Sequence, residues 1–217
     1  MKQRKIRGHK RLQKQITNWT NDALAINLDF LSNNNYWYEK IIVHPWCDLS
    51  RTNSEIPEPK SVTRKLILSA LEEIYDNWKL QLDKLGEPYY LKIWLYQPRV
   101  SKSQVVCAIG EKIAYYTTCF NSIDVPRKKS DLTNQLSPTF EWESFEDSQI
   151  WSEQDLAAPK ELYSNIEDYH DSIRLLSKIK KANYRTLAID TPDGNDILHF
   201  QPKGLIWIGE KSNGIES

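Results

Sequence analysis

The sequence predicts an α+β fold: a mostly antiparallel sheet of about six to eight strands packed with three long helices. Apolar residues recur every three or four positions over residues 10–31, 61–85 and 162–176, the period of an amphipathic helix. Runs rich in β-branched and aromatic residues at 36–44, 89–97, 103–109, 184–190, 197–200 and 205–208 are bounded by glycine, proline or asparagine, as strands are. Those strands gather in two clusters joined by short turns, which favours antiparallel pairing over a repeated βαβ unit.

The first helix carries the stripe Leu12, Ile16, Trp19, Ala23, Ile26 and Phe30 and breaks at Asn33, Asn34 and Asn35. The strand over 36–44 ends at Pro45, which cannot donate to a ladder. Ser61 is placed to cap a helix with the stripe Ile67, Ala70, Leu71, Ile74, Trp78, Leu82 and Leu85, and Gly86 is placed at its left-handed end. Residues 89–97 are apolar on both faces, as an inner strand covered on both sides requires.

Gly110 and Glu111 read as a two-residue turn between strands over 103–109 and 112–120. That register sets Cys107 opposite Ala114 and Cys119 opposite Lys102, so the two thiols are not partners for a disulfide. Residues 139–158 are aromatic and acidic with little periodicity. Pro159 opens the next helix, with the stripe Leu162, Ile166, Tyr169, Ile173 and Leu176, acids early and bases late, and a stop at Asn183. A hairpin turning at Thr191 to Asn195 follows, and the segment Pro202 to Gly204 turns into a last strand.

At 217 residues and 40% hydrophobic, the chain is read as one domain, 1–217, with a basic N-terminal arm (1–14) and a polar C-terminal tail (210–217). Eight tryptophans spread along it serve as large core anchors. Lys plus Arg and Asp plus Glu are both 29, so no bulk field draws the chain onto nucleic acid or an anionic membrane. Three cysteines without a CxxC pair indicate neither a disulfide framework nor a cysteine zinc site, and suit a reducing compartment. No apolar run follows the basic start, and none reaches the roughly 20 residues of a membrane helix. The expectation is a soluble, cytoplasmic protein with no membrane partner.

GxxxxGK[ST], GxGxxG, GxSxG and HExxH are all absent, which removes the common phosphate-cradling, nucleophile-elbow and zincin sites and leaves no cofactor expected. One catalytic constellation remains: His44, Asp48 and His199, with Asp190 in support. Two strand-end histidines suit phosphoester hydrolysis, one imidazole as base and the other as acid, with or without a metal. Trp46 and Gln201 stand two places after these histidines, where that chemistry uses hydroxyl residues. Cys47 lies close to His44, but a strand-end thiol ordinarily packs as a small hydrophobe.

The stronger feature is charge polarity. Residues 2–14 hold seven bases and no acid, whereas 141–171 hold ten acids and one base. The expected activity is therefore binding of a macromolecule, a protein partner first, in an accessory role such as toxin neutralisation or host conflict, without catalysis. Trp142 and Trp151 are the expected anchors, with Glu141, Glu143, Glu146 and Asp147 around them. The first alternative is the phosphoester hydrolase. The second is nucleic-acid binding through Arg4, Lys5, Arg7, Lys10 and Arg11.

Overall fold

The structure, a computed structural model, describes residues 9–33, 41–42, 61–98, 100–118 and 138–211. The elements are α1 (His9–Leu24), α2 (Phe30–Asn33), β1 (Ile41–Ile42), α3 (Ser61–Leu85), β2 (Tyr89–Gln97), β3 (Gln104–Ile109) and α4 (Lys112–Thr118). They continue with β4 (Phe140–Ser152), α5 (Glu153–Leu156), α6 (Ile166–Lys181), β5 (Arg185–Thr191) and β6 (Gly194–Lys211). The fold is α+β, and its sheet runs β1-β3-β2-β6-β4, with β5 paired to β6 off that path. Contacts divide the chain into two compact units, Met1–Glu146 with Leu205–Ser217, and Asp147–Gly204.

In the first unit the sheet is covered on both faces. Residues of β2 alternate: Leu91 and Ile93 enter a cluster with α1 and α3, while Tyr90 and Trp94 join Val106, Tyr116, Ile206 and Ile208. That is the two-sided burial expected of an inner strand, and β2 lies between β3 and β6. From α3, Ile67, Leu71, Ile74, Trp78 and Leu82 are fully buried, each contributing about 1.5–3 kcal/mol by leaving water. Gly86 takes φ +70° and ends α3.

Several expectations change. The first helical stripe is split into α1 and α2, because the Gln81 side chain holds the intervening backbone: it accepts from Leu28 N–H at 2.9 Å and donates to the Ile26 carbonyl at 3.1 Å. Of the strand expected over 36–44, Ile41 and Ile42 pair with β3 and the other positions lie outside the described residues.

Residues 112–118 form a helix, not the second arm of a hairpin. A strand would send Ile113 and Tyr116 to opposite faces, whereas one helical turn brings both onto the second cluster, with Tyr116 against Tyr90 and Trp94. Cys107 therefore faces Leu91 and Ile41 in register, not Ala114. Cys119 lies outside the described residues.

The aromatic and acidic segment becomes β4. Phe140 and Trp142 pack to one face and Phe145 to the other, an alternation obscured in the sequence by the four acids between and after them. The expected turn over 202–204 is absent, since β6 is continuous from Gly194 to Lys211. Its residues 194–200 pair with β5 and 205–209 with β2, so Pro202 falls between these two ladders.

Candidate interaction face in the second unit

The second unit has a small interior, with Leu156, Ile179 and Phe200 as its buried apolar side chains. Its elements are fixed by local chemistry. The Ser152 side chain accepts from Asp155 N–H at 3.0 Å and opens α5. Asn165 accepts from Asp168 N–H at 2.8 Å and opens α6, so the helix begins seven residues after Pro159 and not at it. The intervening Lys160–Leu162 is a single 3₁₀ turn. Tyr163 fastens this turn to the helix by a 2.9 Å hydrogen bond to Ser172. Asn183, at φ +51°, follows the helix end as expected, and β5 and β6 form the expected hairpin, Thr191 opposite Gly194.

Two buried polar groups organise this interior. His199 places Nε2 2.6 Å from Glu153 Oε1, and Lys180 reaches Glu153 Oε2 at 2.5 Å. An ionised carboxylate can only accept, so Nε2 donates to it, while buried Nδ1 has no hydrogen-bond partner. Burial works to raise the Glu153 carboxyl, but the hydrogen bonds from Lys180 and His199 outweigh it and hold the group below the usual glutamate range. Asp196 Oδ1 accepts from Gln154 N–H at 3.0 Å and Ile197 N–H at 2.7 Å. Burial opposes its charge too, and the hydrogen bonds from Ser152 and backbone amides again win.

His199 is thus engaged in a clasp joining α5, α6 and β6. Its register partner on β5 is Thr186, whereas Asp190 is exposed opposite Asn195, roughly 13 Å further along the ladder at 3.3 Å per residue. The structure does not bring Asp190 to His199, and His44 and Asp48 lie outside the described residues. Glu153 and Lys180 carried no sequence signal as its partners, being contributed by separate elements 46 and 19 positions away.

The apolar stripe of α6 is only half used. Ile179 faces the interior with Ser172 and Leu175 half-buried, while Leu162, Ile166 and Ile173 are 75%, 43% and 38% exposed. Ile166 and Ile173 stand one above the other, seven residues or about 10 Å apart along the helix. Exposed acids surround them: Glu161, Glu167, Asp168 and Asp171, the last paired with Arg174 at 3.2 Å. The Tyr169 ring is half-buried beside Tyr163, 5.5 Å between centroids, and its position lies three residues after Ile166 and four before Ile173 on the helix.

The other expected binding residues are placed as follows. Trp142 is half-buried on the core of the first unit, its ring 5.6 Å from Phe140 and stacked over Gly209. Trp151 is half-buried and donates to Gln201 at 3.4 Å. Glu141 and Glu143 are exposed, and Glu146 and Asp147 half-buried. Lys10 is exposed on α1 and Arg11 belongs to the same helix; Arg4, Lys5 and Arg7 lie outside the described residues. Among the described residues no helix is long and apolar enough to cross a membrane, and no group of three His, Cys, Asp or Glu side chains is arranged to hold a metal. Comparison with protein-family models, curated proteins and solved structures finds no match for the chain.

Proposed function

We propose that this protein acts by binding a cationic protein partner, without catalysis, and that the partner docks on the α6 face carrying Ile166 and Ile173, with Leu162 exposed on the 3₁₀ turn before it. The observation that carries this reading is the exposure of Ile166 and Ile173, seven residues apart on α6 at the period of a buried helix face, together with exposed Leu162 in the turn before it. Large apolar side chains left exposed together, and rimmed by charge, mark interaction sites more often than isolated ones do. Glu161, Glu167, Asp168 and Asp171 set the sign of the partner, against Arg174 and Lys160 nearby. In this reading the acidic polarity of residues 141–171 acts through the helix more than through Trp142 and Trp151, which are both half-buried.

A test uses the full chain and a lysine- and leucine-rich amphipathic peptide as probe, followed by NMR. Binding should perturb the amides around Ile166 to Arg174. Replacing Ile166 and Ile173 by serine should weaken it about tenfold or more, the scale of two buried aliphatic anchors. Exposed substitutions of this kind leave stability within about 0.5 kcal/mol, so folding serves as the control. Undiminished binding by the folded double variant would refute the assignment.

A further inference from the structure

We propose a second site, in the first unit: a lysine- and tyrosine-lined cleft that takes a small phosphate monoester carrying a ring. Three elements supply one ammonium each, Lys79 from α3, Lys92 from β2 and Lys211 from the end of β6. The cleft they line has a volume of about 410 Å³, within the size range of small-molecule sites. Against those three cations, Glu210 is the lining carboxylate among the described residues.

Each ammonium is already held by a carboxylate, and the arrangement of the pairs gives the cleft its sign. Lys79 pairs with Asp83 at 3.2 Å, Lys92 with Glu210 at 2.8 Å, and Lys211 with Asp76. In every pair the cation is the more covered partner: 30% against 47%, 28% against 49%, and 30% against 48% side-chain exposure. Asp83 and Asp76 stand outside the lining. An anion entering the cleft therefore meets three lining ammoniums and one lining carboxylate, Glu210, while Asp76 and Asp83 stay outside the lining. A phosphate dianion can take charge-assisted hydrogen bonds from more than one lysine at once, which a single carboxylate partner does not offer.

The helix spacing explains how α3 supplies its part of the lining. Tyr75, Lys79 and Asp83 are four residues apart on one stripe of α3 and lie over the start of β2. The Tyr89 hydroxyl donates to Asp83 at 2.5 Å and accepts from Lys79 at 3.2 Å. The hydrogen bond that Lys79 donates to Tyr89 is the chief reason its ammonium is held above its usual range, whereas burial, then the bond to Asp83, raises the Tyr89 phenol. Cation and neutral phenol therefore coexist at neutral pH. Tyr75 and Tyr90 add ring faces, Lys92 lying 5.7 Å from the Tyr90 ring centroid, and Leu91 and Ile113 supply apolar wall for a ring body.

The test is titration of the full chain with phenyl phosphate, inorganic phosphate and phenol, by calorimetry and by NMR. Phenyl phosphate should bind saturably, more tightly than either fragment, and shift the Leu91 and Thr117 amides. Lys92→Gln should weaken it about tenfold, the scale of one charge-assisted hydrogen bond, and Lys79→Met with Lys211→Met further. Asp76→Asn should hold or improve affinity, because it frees Lys211 from a competing anion. The proposal is overturned by absence of saturable phenyl phosphate binding to the folded wild type up to about 10 mM, roughly 2.7 kcal/mol of affinity. It is equally overturned by undiminished binding in the folded lysine variants, by shifts confined to other regions, or by inorganic phosphate binding as tightly as phenyl phosphate.

Discussion

Glu153, at the start of α5, stands 2.6 Å from Nε2 of His199, 46 residues later in the chain, and offers its second oxygen to Lys180. This carboxylate is the common partner of a buried imidazole and a half-exposed ammonium, so it ties three elements of a unit whose apolar interior is small. Glu153→Gln should destabilise the protein by about 1–3 kcal/mol, because His199 and Lys180 both lose a charged acceptor. Denaturant unfolding of wild type and variant measures it, and equal stabilities would refute the clasp.

The same group fixes a pH dependence. The folded Glu153 carboxyl lies below its ordinary value of 4.5, so the unfolded chain takes up the proton first as pH falls. Its contribution is complete above 4.5 and is lost as the pH drops through the folded value; Asp196, also lowered, adds to the same limb below 3.8. Acid unfolding of Glu153→Gln should therefore be shallower than that of the wild type. Superimposable acid limbs would count against it.

Gly209 is a packing glycine. A Cβ there would stand 2.5 Å from Cε3 and Cζ3 of Trp142, so Gly209→Ala forces the indole or the strand to move. The expected cost is about 1–3 kcal/mol, the range for overpacking. Shrinking the obstacle with Trp142→Ala should make the alanine at 209 nearly harmless, and a double-mutant cycle showing no coupling would contradict the contact.

Gly86 is a conformational glycine. A Cβ at this position would meet nothing within 4 Å, yet φ is +70°, so Gly86→Ala isolates the backbone cost of the left-handed region. About 1 kcal/mol of destabilisation is expected, and less for Gly86→Asn. An alanine variant as stable as the wild type would refute the assignment.

Trp78 links the two helices on one sheet face, its fully buried indole donating to the Ala23 carbonyl at 3.1 Å. Trp78→Phe keeps much of the apolar surface but removes that donor, leaving the carbonyl the 3.3 Å hydrogen bond from Ile26 N–H, for about 0.5–1.5 kcal/mol. Thermal unfolding is the measurement, and a change below about 0.5 kcal/mol would show that the hydrogen bond is dispensable.

What the sequence by itself determined is the part governed by local period and local caps. The span and glycine stop of α3, the two-faced strand β2, the hairpin of β5 and β6 and the stop at Asn183 follow from side-chain alternation, proline and glycine within a few residues. Tertiary structure decided the elements whose local signals were ambiguous. Residues 112–118 carry enough β-branched and aromatic character for a strand, and only the second core cluster, which needs Ile113 and Tyr116 on one side, makes them a helix. It also decided the candidate sites. The stripe of α6 has the period of a buried face, and its exposure depends on how little of it the small interior covers. The clasp of Glu153, His199 and Lys180, and the cleft of Lys79, Lys92 and Lys211, join residues far apart in sequence. Periodicity reports which face of one element is apolar, whereas a charge is brought to its partner by the packing of several elements at once.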